Sequence, residues 1–153
     1  MAGSVTVTMS NPFAQGGNNR IVVDWTATAG GAVSVALASD FSTDQLSTFG
    51  YAAPQPSKFR GRLVKVETAP GASGDLATTL PTAAYDITLL GAHGEDIAGG
   101  YLADRSGTVA EQWVPIQPVA VDGEITFTVA NAGAATTGRV ILHFEGEKNG
   151  CKC

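Results

Sequence analysis

Tyr85-Asp86-Ile87-Thr88-Leu89 sets apolar and polar residues on alternate positions, and so do Glu124-Ile125-Thr126-Phe127-Thr128-Val129 and Arg139-Val140-Ile141-Leu142-His143-Phe144. Successive side chains of an extended strand point to opposite faces, so a period of two describes a strand with one buried and one wet face. Each run is bounded by glycine, asparagine or acidic residues that favour turns, and several such strands close together imply sheets packed face to face. The chain therefore reads as all-β.

Toward the N-terminus, Val5, Val7 and Met9 alternate with Thr6 and Thr8, predicting a first strand that stops at Asn11-Pro12. Gln15-Gly16-Gly17-Asn18-Asn19 predicts a turn. Ile21 to Thr28 predicts a second strand with Ile21, Val23 and Trp25 on one face, which places Trp25 in the core. Gly30-Gly31 is expected to return the chain as a hairpin into a third strand, Ala32 to Ala38. Ser39 to Ser57 breaks the alternation and reads as a long loop with a short helical turn near Thr43 to Ser47. Lys58 to Thr68 resumes as a strand, and Pro70 to Pro81 is a weakly structured connection.

Beyond the Tyr85 strand come a polar turn, Gly91 to Asp96, and the segment Ile97 to Leu102. Glu111 to Val121 reads as one edge or irregular strand, because Pro115 and Pro118 cannot donate to a ladder. Asp122-Gly123 predicts a tight turn into the Ile125 strand. The sum is a single domain over residues 1–147, a β-sandwich or jelly-roll-like fold of about eight strands with long loops. Residues 148–153 form a flexible tail carrying both cysteines.

Composition narrows the function classes. Charged residues are 15% of the 153, while glycine, threonine, serine and alanine fill much of the remainder. So weakly charged a surface suits burial against other proteins, although threonine-covered outer faces of an ordinary β-protein explain it equally. The net charge of −5 argues against nucleic acid as a partner. Lys58, Arg60, Arg62 and Lys65 form a local exception around Phe59, and Lys58, Arg60 and Arg62 alternate as outward residues of a strand would. No apolar run approaches the roughly 18 residues of a membrane helix. The first residues lack a basic stretch followed by an apolar one, so synthesis in a cytoplasm is expected.

The polar residues form no convincing catalytic set, and the expectation is of no enzyme and no cofactor. His93 stands in a turn beside Glu95 and Asp96, and His143 on a strand opposite Phe144, neither with a second histidine nearby in sequence. Asp104 to Glu111 places oxygens near a glycine but lacks the acidic density of a calcium loop. Carboxylate pairs for glycoside hydrolysis can come from distant strands, yet no pair stands out. The most unusual chemistry is Cys151-Lys152-Cys153. An i to i+2 bridge would be strained and a zinc site would need ligands from another subunit, leaving interchain disulfides or an idle tail.

Ala84-Tyr85-Asp86-Ile87-Thr88-Leu89-Leu90, Gly94-Glu95-Asp96-Ile97, Gly99-Gly100 and Ala103-Asp104-Arg105-Ser106 follow one another in order. After them come Pro118 to Val129, Asn131-Ala132-Gly133 and Gly138-Arg139-Val140-Ile141-Leu142. This succession resembles a pattern in small β-rich structural proteins of tailed bacteriophage virions, over approximately residues 58 to 145. The resemblance implies a non-enzymatic virion protein and carries over no catalytic residue. Its expected role is a capsid decoration or cement protein stabilising contacts between major capsid subunits on the outer shell. The alternatives are a neck or tail structural protein bound to head–tail proteins, or a carbohydrate-binding module contacting the host surface. Self-association as a homo-oligomer would multiply weak contacts. Phe41, Phe49, Phe59 and Trp113 are the candidate interface residues, with Cys151 and Cys153 as the candidate interchain disulfide.

Overall fold

The computed structural model describes residues 3–10, 18–37, 59–71, 79–123 and 125–145. Within them run β1 (Ser4–Ser10), β2 (Asn18–Thr26), β3 (Val33–Ala36), β4 (Phe59–Pro70), β5 (Asp86–Leu90), β6 (Glu111–Trp113), β7 (Val119–Gly123), β8 (Thr126–Ala130) and β9 (Thr137–Glu145). They build two antiparallel sheets. The larger follows the order β1-β2-β9-β4, and the far side of β4 carries β7 against Phe59 to Leu63 and β6 against Val66 to Thr68. The smaller has the order β3-β8-β5.

The pairing is nested: β2 lies on β9, β3 on β8, and β4 on β7. Innermost, β5 is flanked by the segment 96–105. Leu90 bridges Asp96, Ile97 N donates to Leu89 O, Ile87 N donates to Leu102 O, and Tyr85 bridges Arg105. The chain is thus one long antiparallel hairpin folded back across itself, which is the jelly-roll form of the β-sandwich.

Two turns read as hairpins are corners between sheets. After Gly30-Gly31 the chain leaves β2 in the larger sheet and enters β3 in the smaller, and after Asp122-Gly123 it passes from β7 to β8 in the same sense. Asp122 and Gly123 themselves still pair with Arg60 and Phe59. The first corner lies against the β8–β9 corner. Ala27 N donates to Thr136 O, Ala135 N to Thr28 O, and Ala132 N to Gly31 O, carrying the β2–β9 ladder round into β3–β8. Gly31 has φ +77° there, and an added Cβ would stand 2.8 Å from Gly133 N, so glycine satisfies both conformation and space.

Other elements are refined. Asn18 and Asn19 belong to β2, opposite Glu145 and Phe144, rather than to a turn. Ile97 to Leu102 is a run of turns, and the proline-bearing Glu111 to Val121 divides into β6 and β7. The Ser39 to Ser57 loop with its helical turn, most of the Pro70 to Pro81 connection and the cysteine tail lie outside the described residues.

The core fills the space between the sheets. Ile21, Val23 and Trp25 of β2 and Val140, Leu142 and Phe144 of β9 meet Ile87, Leu89, Phe127 and Val129 of the smaller sheet, all buried. In β4 the register shifts between Leu63 and Lys65. The extra residue of this bulge lets Leu63 and Val66 both point inward despite their odd spacing. It also puts Lys65 on the same outer face as Arg62 despite their odd spacing.

Candidate functional site

On the outer face of the larger sheet several charged side chains among the described residues pair with one another. Asp24 and Arg139 are register partners joined by two bonds, Nε–Oδ1 2.6 Å and Nη2–Oδ2 2.9 Å, and the carboxylate raises the guanidinium above its ordinary pKa. His143 Nε2 meets Glu67 Oε2 at 2.6 Å, and Lys65 Nζ reaches Glu67 Oε1 at 3.2 Å. The His143 hydrogen bond, with Lys65 assisting against partial burial, holds the Glu67 carboxyl below its ordinary value. Arg62 pairs with Glu145 at 2.9 Å. These contacts brace β9 between β2 and β4.

Three separate turns and strand ends meet at Asp86. Asp86 Oδ1 accepts from Asp104 N at 2.9 Å, and its Oδ2 accepts from Asn131 Nδ2 at 2.6 Å. Asp104 and Asn131 both have positive φ, 52° and 60°, conformations that short polar side chains tolerate. Ser106 N donates to Glu111 Oε2 at 2.6 Å, and Ser106 Oγ accepts from Thr108 N and Val109 N. The Ser106 hydroxyl and the Glu111 carboxylate are therefore engaged in holding a loop. His93 N donates to Glu95 Oε2, and Asp96 accepts from the amides of Ala98 and Gly100. No group of three metal-ligating side chains is found among the described residues.

Exposed apolar surface is concentrated elsewhere. Tyr101, Val109, Val114 and Ile116 lie within one stretch of the chain and are more than half exposed, Ile116 completely. Trp113 stands opposite Val66 at the β6 edge and packs partly on the core. Its ring stacks with that of Tyr101, centroids 6.0 Å apart and planes 14° from parallel. Immediately after it, Val114 to Pro118 leaves the ladder between β6 and β7. From Ser106 to Val121 the only charged residue is Glu111, already bound to Ser106 N and 3.8 Å from Arg105 Nε. The result is an apolar ledge along one sheet edge, in which Trp113 to Pro118 carries no charge and Tyr101 stacks on Trp113.

Trp113 is thus at a surface, as the base of the ledge rather than its tip. Trp25 is fully buried, as its alternation requires. Phe59 lies in β4 opposite Gly123. Phe41, Phe49, Cys151 and Cys153 lie outside the described residues. Tyr101, Val114 and Ile116 were not singled out by sequence. The signal was present in Trp113-Val-Pro-Ile-Gln-Pro118, where prolines remove apolar residues from a ladder without supplying a core to receive them.

Among the described residues no helix is long and apolar enough to cross a membrane. Comparison with protein families, curated proteins and solved structures finds no match to this chain.

Proposed function

We propose that the chain is a non-enzymatic structural protein of a bacteriophage virion, a decoration or cement protein that binds across major capsid subunits. The observation that carries the reading is the apolar ledge of Tyr101, Trp113, Val114 and Ile116. Protein interfaces are depleted of charge at their centres and enriched in aromatic anchors. The larger sheet's outer face, where Asp24, Glu67, Glu145, Arg62, Lys65, Arg139 and His143 pair among themselves, offers less to a partner. The motif residues Asp86, Asp104 and Asn131 support the same reading, because their polar groups hold corners together instead of converging on a substrate.

The test is binding of purified protein to capsid shells that lack it, followed by cryo-electron microscopy of the decorated particle. Val114→Ser with Ile116→Ser should weaken shell binding roughly tenfold or more while leaving the melting midpoint near that of the wild type. Shell binding unaffected by the pair would remove the ledge from the interface. A single ring of copies at the portal or tail would replace cement with the neck or tail role.

One observation favours a second reading. Tyr101 presents an exposed ring braced from behind by Trp113. Such a ring can also stack on a sugar, which would serve recognition of host-surface carbohydrate. Binding to host envelope polysaccharide that is lost in Tyr101→Ala, with no binding to shells, would select it.

A further inference from the structure

A sheet edge displays a row of amide and carbonyl groups with no partner, and proteins usually blunt such edges. Among the described residues the two sheets have four edges, and three of them are blunted. The β6/β7 edge is interrupted by Pro115 and Pro118, β3 is only 4 residues long, and β5 is covered by the segment 96–105. The fourth is β1. Its 7 residues, Ser-Val-Thr-Val-Thr-Met-Ser, contain no charge and no proline, and its register against β2 runs unbroken from Ser4 to Ser10. Among the described residues no strand pairs with its outer side.

We infer that β1 is a dimerisation edge, on which a second copy of this chain pairs its own β1 antiparallel about a two-fold axis at Val7. The sequence is self-complementary in that register. Position 7 faces itself, 6 faces 8, 5 faces 9 and 4 faces 10, so apolar meets apolar and hydroxyl meets hydroxyl at every pair. A slip by one residue would set valine against threonine along the whole strand, which makes the register specific. Val5 and Val7 are half-buried against the core, with apolar surface left for a neighbour to cover. The strip around the axis is also neutral. Asp24, the β2 residue opposite Thr6, is neutralised by Arg139, so two chains of net charge −5 can approach there without like charges meeting. An isologous contact of this kind closes on itself, giving a dimer joined by one continuous sheet and not a fibre. The inference is independent of the virion reading.

The test is sedimentation equilibrium of the full chain in reductant, so that Cys151 and Cys153 supply no link. The wild type should reach twice the monomer mass. Thr6→Lys with Thr8→Lys sets like charges opposite one another at two symmetric places and should weaken the dimer roughly tenfold. Thr6→Lys with Thr8→Glu places opposite charges there and should restore it. A monomeric wild type, a dimer indifferent to the lysine pair, or equal loss in both double variants would overturn the inference. Amide exchange of the unmodified chain across a dilution series gives a second readout. Protection of residues 4–10 that rises with concentration supports the two-fold pairing, and concentration-independent exchange refutes it.

Discussion

Gly138 and Tyr85 show how single positions are set by the Trp25 ring. Gly138 is the register partner of Trp25, and a Cβ added to it would overlap the indole. Gly138→Ala should therefore destabilise the protein by roughly 1–3 kcal/mol in urea unfolding, the range for forced overpacking. Gly30→Ala, whose added atom meets nothing nearer than 3.6 Å, should change stability by less than about 0.5 kcal/mol. Tyr85 packs at 5.4 Å from Trp25 with its hydroxyl buried and, among the described residues, without a hydrogen-bond partner. Burial pushes its pKa from 10.0 up to about 12, while the nearby Thr68 hydroxyl offsets part of the rise. A folded-state pKa above the unfolded one gives stability that is complete below pH 10 and lost as the pH climbs through about 12. Tyr85→Phe should lessen that alkaline loss while changing stability near neutral pH by about 1 kcal/mol or less, as denaturation curves across this pH range would show.

Among elements, β9 is the strand on which the larger sheet depends, since β2 and β4 lie on either side of it and do not pair with each other. Its tie to β4 includes the Glu67–His143 contact. Because Glu67 has a folded-state pKa below 4.5, the stability it contributes is present above pH 4.5 and lost as the pH falls through the lower folded value. Glu67→Gln should flatten that part of the acid limb, and salt should shrink the difference, because the pair is partly exposed and screened. Thermal melts at successive pH values below 5 with and without added salt, roughly at and above physiological ionic strength, would check both. The edge position of Glu111 to Val121 was readable from Pro115 and Pro118, because a missing amide hydrogen is a local fact, whereas its division into β6 and β7 was not. The Asp86 tie to Asp104 and Asn131 was not, because its three members come from separate turns with no shared pattern.

At the scale of the molecule, nesting makes the outermost ladder, β2 with β9, the pairing of residues far apart in sequence. A chain truncated before Thr137 loses the strand between β2 and β4 and should show no cooperative thermal transition by circular dichroism. A truncated chain that melts cooperatively would mean that the smaller sheet and β4 form a core without β9. Sequence by itself determined that the protein is all-β, where most described strands run, and which face of β2, β5, β8 and β9 is buried. Those properties are local, because the pleat sends alternate side chains to opposite sides whatever lies beside the strand. Only the tertiary structure decided which strands are neighbours. Gly30-Gly31 and Asp122-Gly123 carry the residues of a hairpin, yet the chain crosses to the other sheet at both, because a tight turn fixes a change of direction and not the partner that receives the next strand. That choice belongs to the core, where Trp25, Phe127 and Phe144 must all be covered at once and only packing two sheets together covers them. The exposed ledge and the β1 edge, which no described strand covers, were fixed at the same stage, since both are defined by what the described sheets leave unpaired.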